Sequence, residues 1–312
     1  MKLGAVDIGS NAIRFQITKV LRYNDLISFK KLEYVRFPLR LGQDVFKYNE
    51  IRAEKEAKFI KLIQTFKNLF DLYEVDDYVI CATSAMRESK NGSDIAYKVK
   101  ELLGVNIEII EGELEAELIN KVLYNELDET KSYIHIDVGG GSTELNIYEA
   151  RKKLASRSFK IGSVRLLNGN DSPLEWKEMQ SWVEEKTEKV KKPIVAIGTG
   201  GNIGKIYEMA NLKPAKEKKH MINLEKMQEV KDHISKYSYE ERIHVLMLNP
   251  DRADVILPAS DIYMTVMHWA RATKMFVPEL GLKDGLMLML YEKHKDKLDN
   301  LENIVSVNKY QK

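Results

Sequence analysis

Val6-Asp7-Ile8-Gly9-Ser10-Asn11 runs into the alternating stretch Ile13-Arg14-Phe15-Gln16-Ile17. Ile136-Asp137-Val138-Gly139-Gly140-Gly141-Ser142-Thr143 runs in the same way into Glu144-Leu145-Asn146-Ile147-Tyr148. Asp7 and Asp137 stand 130 positions apart, and so do Gly9 and Gly139. Each copy reads as an apolar strand ending in Asp, a tight Gly/Ser/Thr turn and an alternating second strand. Two copies separated by about a domain length point to a duplicated fold.

Between the copies, strands and helices alternate, which argues α/β. Ile51 to Phe70 carries apolar residues at helical spacing, and Tyr78-Val79-Ile80-Cys81-Ala82 reads as a buried strand opening into Thr83-Ser84-Ala85-Met86-Arg87. Ser93 is placed to cap a helix running to Leu103, with Gly104 as its stop. Val105 to Glu111 alternates as a strand, and Leu114, Leu118, Ile119 and Val122 form a helical stripe. The charged stretch from Asn125 to Ser132 is the expected boundary, giving domains 1–124 and 125–312, with a final helix near 283–298 packing back on the first. In the second half Ile194 to Ile197 is a strand feeding Gly198-Thr199-Gly200-Gly201-Asn202. Glu175 to Val190 and Leu224 to Ser235 read as amphipathic helices, and Ala253 to Met275 as a helix interrupted near Pro258. The basic run Lys213 to His220 reads as a solvated loop, and the polar tail after Asp296 as frayed.

Composition bounds the function. The 312 residues fit two domains of about 150 each. With 44% hydrophobic and 31% charged residues, the chain is not bulk disorder. A net charge of +2 is far below that of a dedicated nucleic-acid binder. The single cysteine, Cys81, excludes an internal disulfide and a thiolate zinc site. No apolar run approaches the roughly 20 residues that span a bilayer, and Asp7 interrupts any signal-like stretch. The expectation is a soluble cytoplasmic protein without membrane or nucleic-acid partners.

Glycine turns after strands expose backbone N–H groups because no Cβ blocks approach, so they cradle phosphate oxygens. Three occur here, at Gly9-Ser10-Asn11, Gly139 to Thr143 and Gly198 to Gly201. Asp7 and Asp137 could jointly hold Mg²⁺, which takes few carboxylates and keeps waters and phosphate oxygens; each could instead cap its own turn. The spacing matches neither the Walker loop nor the dinucleotide fingerprint. Arg87 is a candidate phosphate clamp. Glu111, Glu113, Glu115 and Glu117 crowd a helix start, where the dipole favours carboxylates. The residues alone therefore reach a Mg²⁺-dependent phosphate-handling protein and stop short of the reaction.

The ordered motifs resemble the exopolyphosphatase / guanosine pentaphosphate phosphohydrolase family (Ppx/GppA) of the actin-like ATPase superfamily. They are Ala5 to Asn11, Ala82 to Glu88, Glu111 to Ile119, Ile136 to Glu144, Lys160 to Leu166, Ile197 to Gly201, Arg252-Ala253-Asp254 and Gly281 to Gly285. The resemblance implies two ribonuclease-H-like domains with the active site in the cleft between them. It implies Glu115 as general base, Asp7 and Asp137 as Mg²⁺-associated acids, and Glu144 as a third acting through water. Ser10, Asn11, Arg87, Gly139, Gly140, Ser142 and Thr143 match phosphate-holding positions, and Gly200 and Gly201 form the third cradle.

The expected reaction is hydrolytic release of terminal orthophosphate from inorganic polyphosphate. Its rivals are the 5′-phosphate of guanosine pentaphosphate at the same residues, a kinase of the same superfamily, and a non-catalytic polyphosphate or alarmone sensor. Arg14, Lys205 and Arg165 are candidates for setting substrate length, K⁺ for an activator, and a homodimer for the assembly. Ala12, Asn202, Lys283 and the stretch Pro258-Ala259-Ser260 depart from the family pattern. Longer members continue into a helical domain resembling HD phosphohydrolases; this sequence ends before it, and the expectation is that long-chain processivity suffers.

Overall fold

The computed structural model describes residues 1–23, 26–210 and 220–309, and side chains within these except at 23 and 296–309. The basic run anticipated at 213–220 lies outside the described residues except for His220.

Strand β1 (Lys2–Ile8) buries every residue after Lys2, the mark of a central strand. It pairs antiparallel with β2 (Ile13–Tyr23), which pairs with β3 (Leu26–Phe37). On its other side it runs parallel to β4 (Asp77–Ala82), followed by the short β5 (Glu108–Ile109). The sheet order is β3-β2-β1-β4-β5. The second sheet contains β6 (Ser132–Val138), β7 (Thr143–Glu149), β8 (Lys152–Phe159), β9 (Ile194–Thr199), β10 (Met221–Asn223) and β11 (Lys274–Phe276), in the order β10-β11-β9-β6-β7-β8. Read from its far edge, β8-β7-β6-β9-β11 repeats the topology of the first sheet, and β10 adds an antiparallel edge. The 130-residue repeat is thus a repeat of whole sheets: two α/β units of ribonuclease-H-like topology.

One face of each sheet has its own core. The helices Ala53–Leu72 and Gly92–Leu103 bury Phe59, Ile63, Phe66 and Val99 against the first sheet. The helices Pro173–Glu188, Leu224–Ser235 and Ile256–Trp269 do the same on the second. The opposite faces share a third core. There Leu3 and Ala5 of β1 and Tyr133 of β6 meet Leu118 and Ile119 of the helix Gly112–Leu123, and Leu286 and Leu290 of the last helix. Alternate residues of a strand point to one face, so Leu3, Ala5 and Asp7 form one row, and Tyr133, His135 and Asp137 the matching one. Both rows start apolar in the shared core and end in an acid at the open end of the sheet.

Several expectations are corrected. The strand anticipated over 105–111 shrinks to Glu108–Ile109, because only Cys81 and Ala82 of β4 remain to pair with it. Ser93 lies inside the helix Gly92–Leu103, whose N-cap is Asn91; Gly104 ends it in the left-handed region as expected. Pro258 does not interrupt a helix, since it sits in the first turn of Ile256–Trp269, where its missing N–H is harmless. The break falls at Asp254–Val255, and Met275 belongs to strand β11. The last helix runs Leu282–Lys309, through the tail expected to fray, and packs on β1 and on Gly112–Leu123. Among the described residues no helix is long and apolar enough to cross a membrane.

Candidate active site

Sheet register builds the site. Asp7 lies opposite Arg14 on β2, which lies opposite Arg36 on β3. Asp137 lies opposite Glu144 on β7, which lies opposite Ser158 on β8. Arg14 and Glu144 are therefore the same position of the duplicated hairpin, one holding a cation and the other an anion. Arg14 Nη1 donates to Asp7 Oδ2 at 2.8 Å. Glu144 Oε1 instead accepts from Ser142 Oγ at 2.7 Å and from Ser158 Oγ at 2.8 Å.

Between the sheets is a cleft of about 500 Å³, walled by Asp7, Ser10, Asn11, Glu115, Asp137, Gly139, Gly140, Ser142, Glu144, Gly200 and Gly201. All of the anticipated residues except Arg87 and Thr143 thus line one cavity. The two hairpin loops touch: a Cβ built on Gly140 would stand 2.9 Å from Ser10 Cβ. Gly200, at φ 109°, turns β9 into the helix Gly201–Met209 and aims the N-terminus of that helix at the cavity. Glu115 enters from the first turn of Gly112–Leu123, and its buried Oε2 has no hydrogen-bond partner.

Thr143 is fully buried and donates to the Ile161 carbonyl at 2.6 Å, so its hydroxyl bonds the loop rather than a ligand. Arg87 donates to the Ile110 carbonyl at 2.6 Å. From behind the wall its charge still favours the ionised forms of Glu115 and Glu144. Of the three basic residues considered for substrate length, Arg14 alone lines the cleft. Lys205 is paired with Glu208 at 2.7 Å, and Arg165 bridges the Gly141 carbonyl and Glu88. Sequence reasoning missed Tyr34 and Arg36, which β3 brings to the wall. Arg36 carries no signal along the chain, because its relation to Arg14 is a cross-strand pairing that only the folded sheet shows.

The site is polar in the electrical sense. Arg14, Arg36, Arg252 and Lys283 line it together with six carboxylates, of which Asp7, Glu115, Asp137 and Glu144 stand at the glycine loops and Glu208 and Glu279 farther along the wall. Burial, reinforced by Glu144, Asp137 and Asp7, holds Glu115 well above the usual carboxylate range. Burial also lifts Glu144 to about 7, with Asp137 adding and the Ser142 and Ser158 hydroxyls opposing. It lifts Asp137 to about 6, against the Thr199 hydroxyl and Arg14. Cys81, paired across from Asp7, is fully buried and its thiol is pushed up to about 12, which rules it out as a nucleophile.

Among the described residues no three His, Cys, Asp or Glu side chains converge tightly enough to wrap a metal ion by themselves. Asp7, Asp137 and Glu144 therefore form no closed cage. The donor set still fits Mg²⁺, which takes one or two carboxylates and completes its shell with water and phosphate oxygens. The observation behind the fit is the buried Oε2 of Glu115, which has no hydrogen-bond partner and stands beside three further carboxylates that raise its proton affinity.

Comparison with known proteins places the fold and the family. The chain resembles a bifunctional 3-dehydroquinate synthase/phosphatase of Fusobacterium nucleatum, at 28% identity over 92% of this chain and 46% of that protein. It resembles a guanosine-5′-triphosphate,3′-diphosphate pyrophosphatase of Aliivibrio fischeri, at 25% identity over 90% of this chain and 58% of that one. The chain thus spans about half the length of these relatives. Among solved structures, an exopolyphosphatase from Cytophaga hutchinsonii superposes with a TM-score of 0.80 at 22% identity, covering 94% of this chain and 98% of the other. A Ppx/GppA family member from Aquifex aeolicus gives 0.71 at 24%, with the same coverage. These two likenesses establish the fold; the sequence itself matches the model of one family over residues 20–294, and the chain belongs to the Ppx/GppA phosphatase family.

Proposed function

We propose that the chain hydrolyses a terminal phosphoanhydride, releasing orthophosphate from the end of inorganic polyphosphate. The observation that carries this reading is Glu115: a carboxylate of raised proton affinity, with one oxygen unpartnered, facing two glycine loops and three guanidinium groups across the cleft. The loop N–H groups, Ser10 and the guanidinium end take the phosphate chain, and Asn11 is tied to Asp251 beside them. Glu115 orients water and accepts its proton as the oxygen attacks the terminal phosphorus. The P–O bond to the rest of the chain breaks, and the leaving oxygen keeps the electron pair beside the cationic wall. Asp7 and Asp137, with Glu144 through water, would hold Mg²⁺, which neutralises phosphate charge when bound.

A second reading, removal of the 5′-phosphate of guanosine pentaphosphate by the same groups, has its own supporting observation. The cavity continues past Gly201 to Tyr207 and His220, whose rings stack at 5.1 Å and give a purine base an aromatic wall.

The test is orthophosphate release with Mg²⁺ from long-chain polyphosphate, short-chain polyphosphate and guanosine pentaphosphate. Release from polyphosphate should fall about 10²–10⁴-fold in Glu115→Gln, with polyphosphate binding retained. Preference for the nucleotide would promote the second reading. Loss of binding in the variant would remove Glu115 from the role of base, and binding without release by the native chain would favour a sensor.

A further inference from the structure

Behind the carboxylates lies a second polar row that the reaction as described does not use. His135 and Asn146 are fully buried and face each other across β6 and β7. Ser156 Oγ donates to Asn146 Oδ1 at 2.7 Å. The Asn146 amide nitrogen lies 3.1 Å from His135 Nδ1, and His135 Nε2 lies 2.8 Å from Thr199 Oγ1. Thr199, also fully buried, is the β9 partner of Asp137, and its hydroxyl favours the ionised form of that carboxylate.

Chemistry gives this chain one direction. An amide nitrogen only donates, so Nδ1 of His135 is the acceptor and carries no hydrogen. The ring proton is then on Nε2 and is donated to Thr199 Oγ1. With its oxygen engaged as an acceptor, the Thr199 hydroxyl has its own proton free for Asp137, which accepts.

The duplicated half shows that the fold does not require this arrangement. Ala5 stands where His135 does, and Cys81 holds the sheet position of Thr199, opposite Asp7. Both are buried and neither donates to Asp7, which is held by Arg14 instead. One aspartate is held by a cation on its neighbouring strand, the other by a polarised neutral relay from behind.

We propose that His135, acting through Thr199, is a positioning residue for Asp137, directing the Thr199 hydroxyl proton onto that carboxylate and keeping it turned to the cleft as an acceptor for the cation that accompanies the phosphate chain. The inference rests on the phosphohydrolase reading of the cleft. Groups that orient a metal-holding carboxylate typically matter by 10–100-fold although they touch no substrate.

The experiment uses the full chain. His135→Leu and Thr199→Val each delete the relay while filling the space. Each should lower kcat about 10–100-fold with KM for polyphosphate little changed, and should weaken Mg²⁺ binding in calorimetric titration without substrate. The double variant should be no worse than either single, since both cut the same chain. Thr199→Ser and His135→Gln, which keep a donor at each link, should restore most of the loss. Nitrogen-15 NMR of the native imidazole should show the Nε2–H form, with its signal displaced in Thr199→Val. Additive losses, unaltered Mg²⁺ titrations in both deletions, or a proton on Nδ1 would overturn the proposal. Lower melting temperatures with kcat and Mg²⁺ binding intact would also overturn it, by reducing His135 to a packing residue. If the native chain releases no orthophosphate at all, the phosphohydrolase reading fails; the imidazole tautomer and the Mg²⁺ titrations then decide the positioning role alone.

Discussion

Asp7 and Asp137 occupy equivalent positions, yet the first has Arg14 as its cross-strand neighbour and the second has Glu144, and that asymmetry has a measurable pH signature. Glu144, lifted to about 7, and Asp137, lifted to about 6, hold protons in the folded chain that they would give up when unfolded. A raised carboxylate stabilises the fold fully below its unfolded pKa, near 4, and the contribution disappears as pH rises through the folded value. Every tenfold gain in proton affinity on folding is worth about 1.4 kcal/mol. The metal-free chain should therefore melt at progressively lower temperature from about pH 4.5 to pH 7.5, and Mg²⁺ should recover much of the loss at the upper end. Glu144→Gln, which still accepts from Ser142 and Ser158, should flatten the slope. Calorimetry across that window is the check; a melting temperature that rises with pH in the metal-free native chain, or a slope the variant leaves unchanged, removes the assignment. The aspartates were legible from sequence because each precedes a glycine turn at a fixed offset. Applying the same 130-position offset to Arg14 leads to Glu144, so that contrast was also readable. Arg36, Thr199 and His135 were not, because their relation to the acids runs across strands and depends on register.

At the scale of elements, Glu115 is only as well placed as its helix. The last helix crosses Gly112–Leu123 so closely that a Cβ on Gly285 would fall 2.4 Å from the Leu118 carbonyl oxygen. Backbone cannot rotate away as a side-chain tip can. Gly285→Ala should displace the helix, with about 1–3 kcal/mol of destabilisation typical of overpacking, and should lower turnover beyond what the stability loss explains, because Glu115 lies one turn from Leu118. Parallel measurement of melting temperature and kcat tests this; a variant with native values for both would show that the contact is relieved elsewhere. Long amphipathic helices were legible from their spacing, Ala53–Leu72 and Leu224–Ser235 most directly. The strands β11 and β3 were not. β11 has three residues and takes its identity from pairing with β9. β3 has no fully buried position, so it offers no apolar rhythm to read.

Across the whole molecule, the sheets are joined in two chemically different ways. On one side they share the apolar core around Leu118, Ile119 and Leu286. On the other they are clasped by charge: Arg36 to Asp251, Arg40 to Asp254, and Arg165 to Glu88 at 2.6 Å. A shared core resists separation along its whole area, whereas an ion pair breaks locally, so the apolar side is suited to hinge and the charged side to open. Asp251 is the centre of the clasp, because it also takes the Asn11 amide of the first glycine loop. Each sheet keeps its own core on its outer face, so losing the clasp should open the cleft before it unfolds either half. Asp251→Ala leaves the largely buried Arg36 guanidinium without its acid, a change that typically costs about 3–5 kcal/mol when a buried pair is broken. That cost falls on the closed form alone, since opening returns Arg36 to water. Asp251→Ala should therefore raise the radius of gyration in small-angle scattering and raise KM for polyphosphate at least tenfold, with a smaller effect on kcat once substrate has drawn the halves together. A scattering profile and KM equal to the native ones would mean that the shared core alone holds the cleft shut.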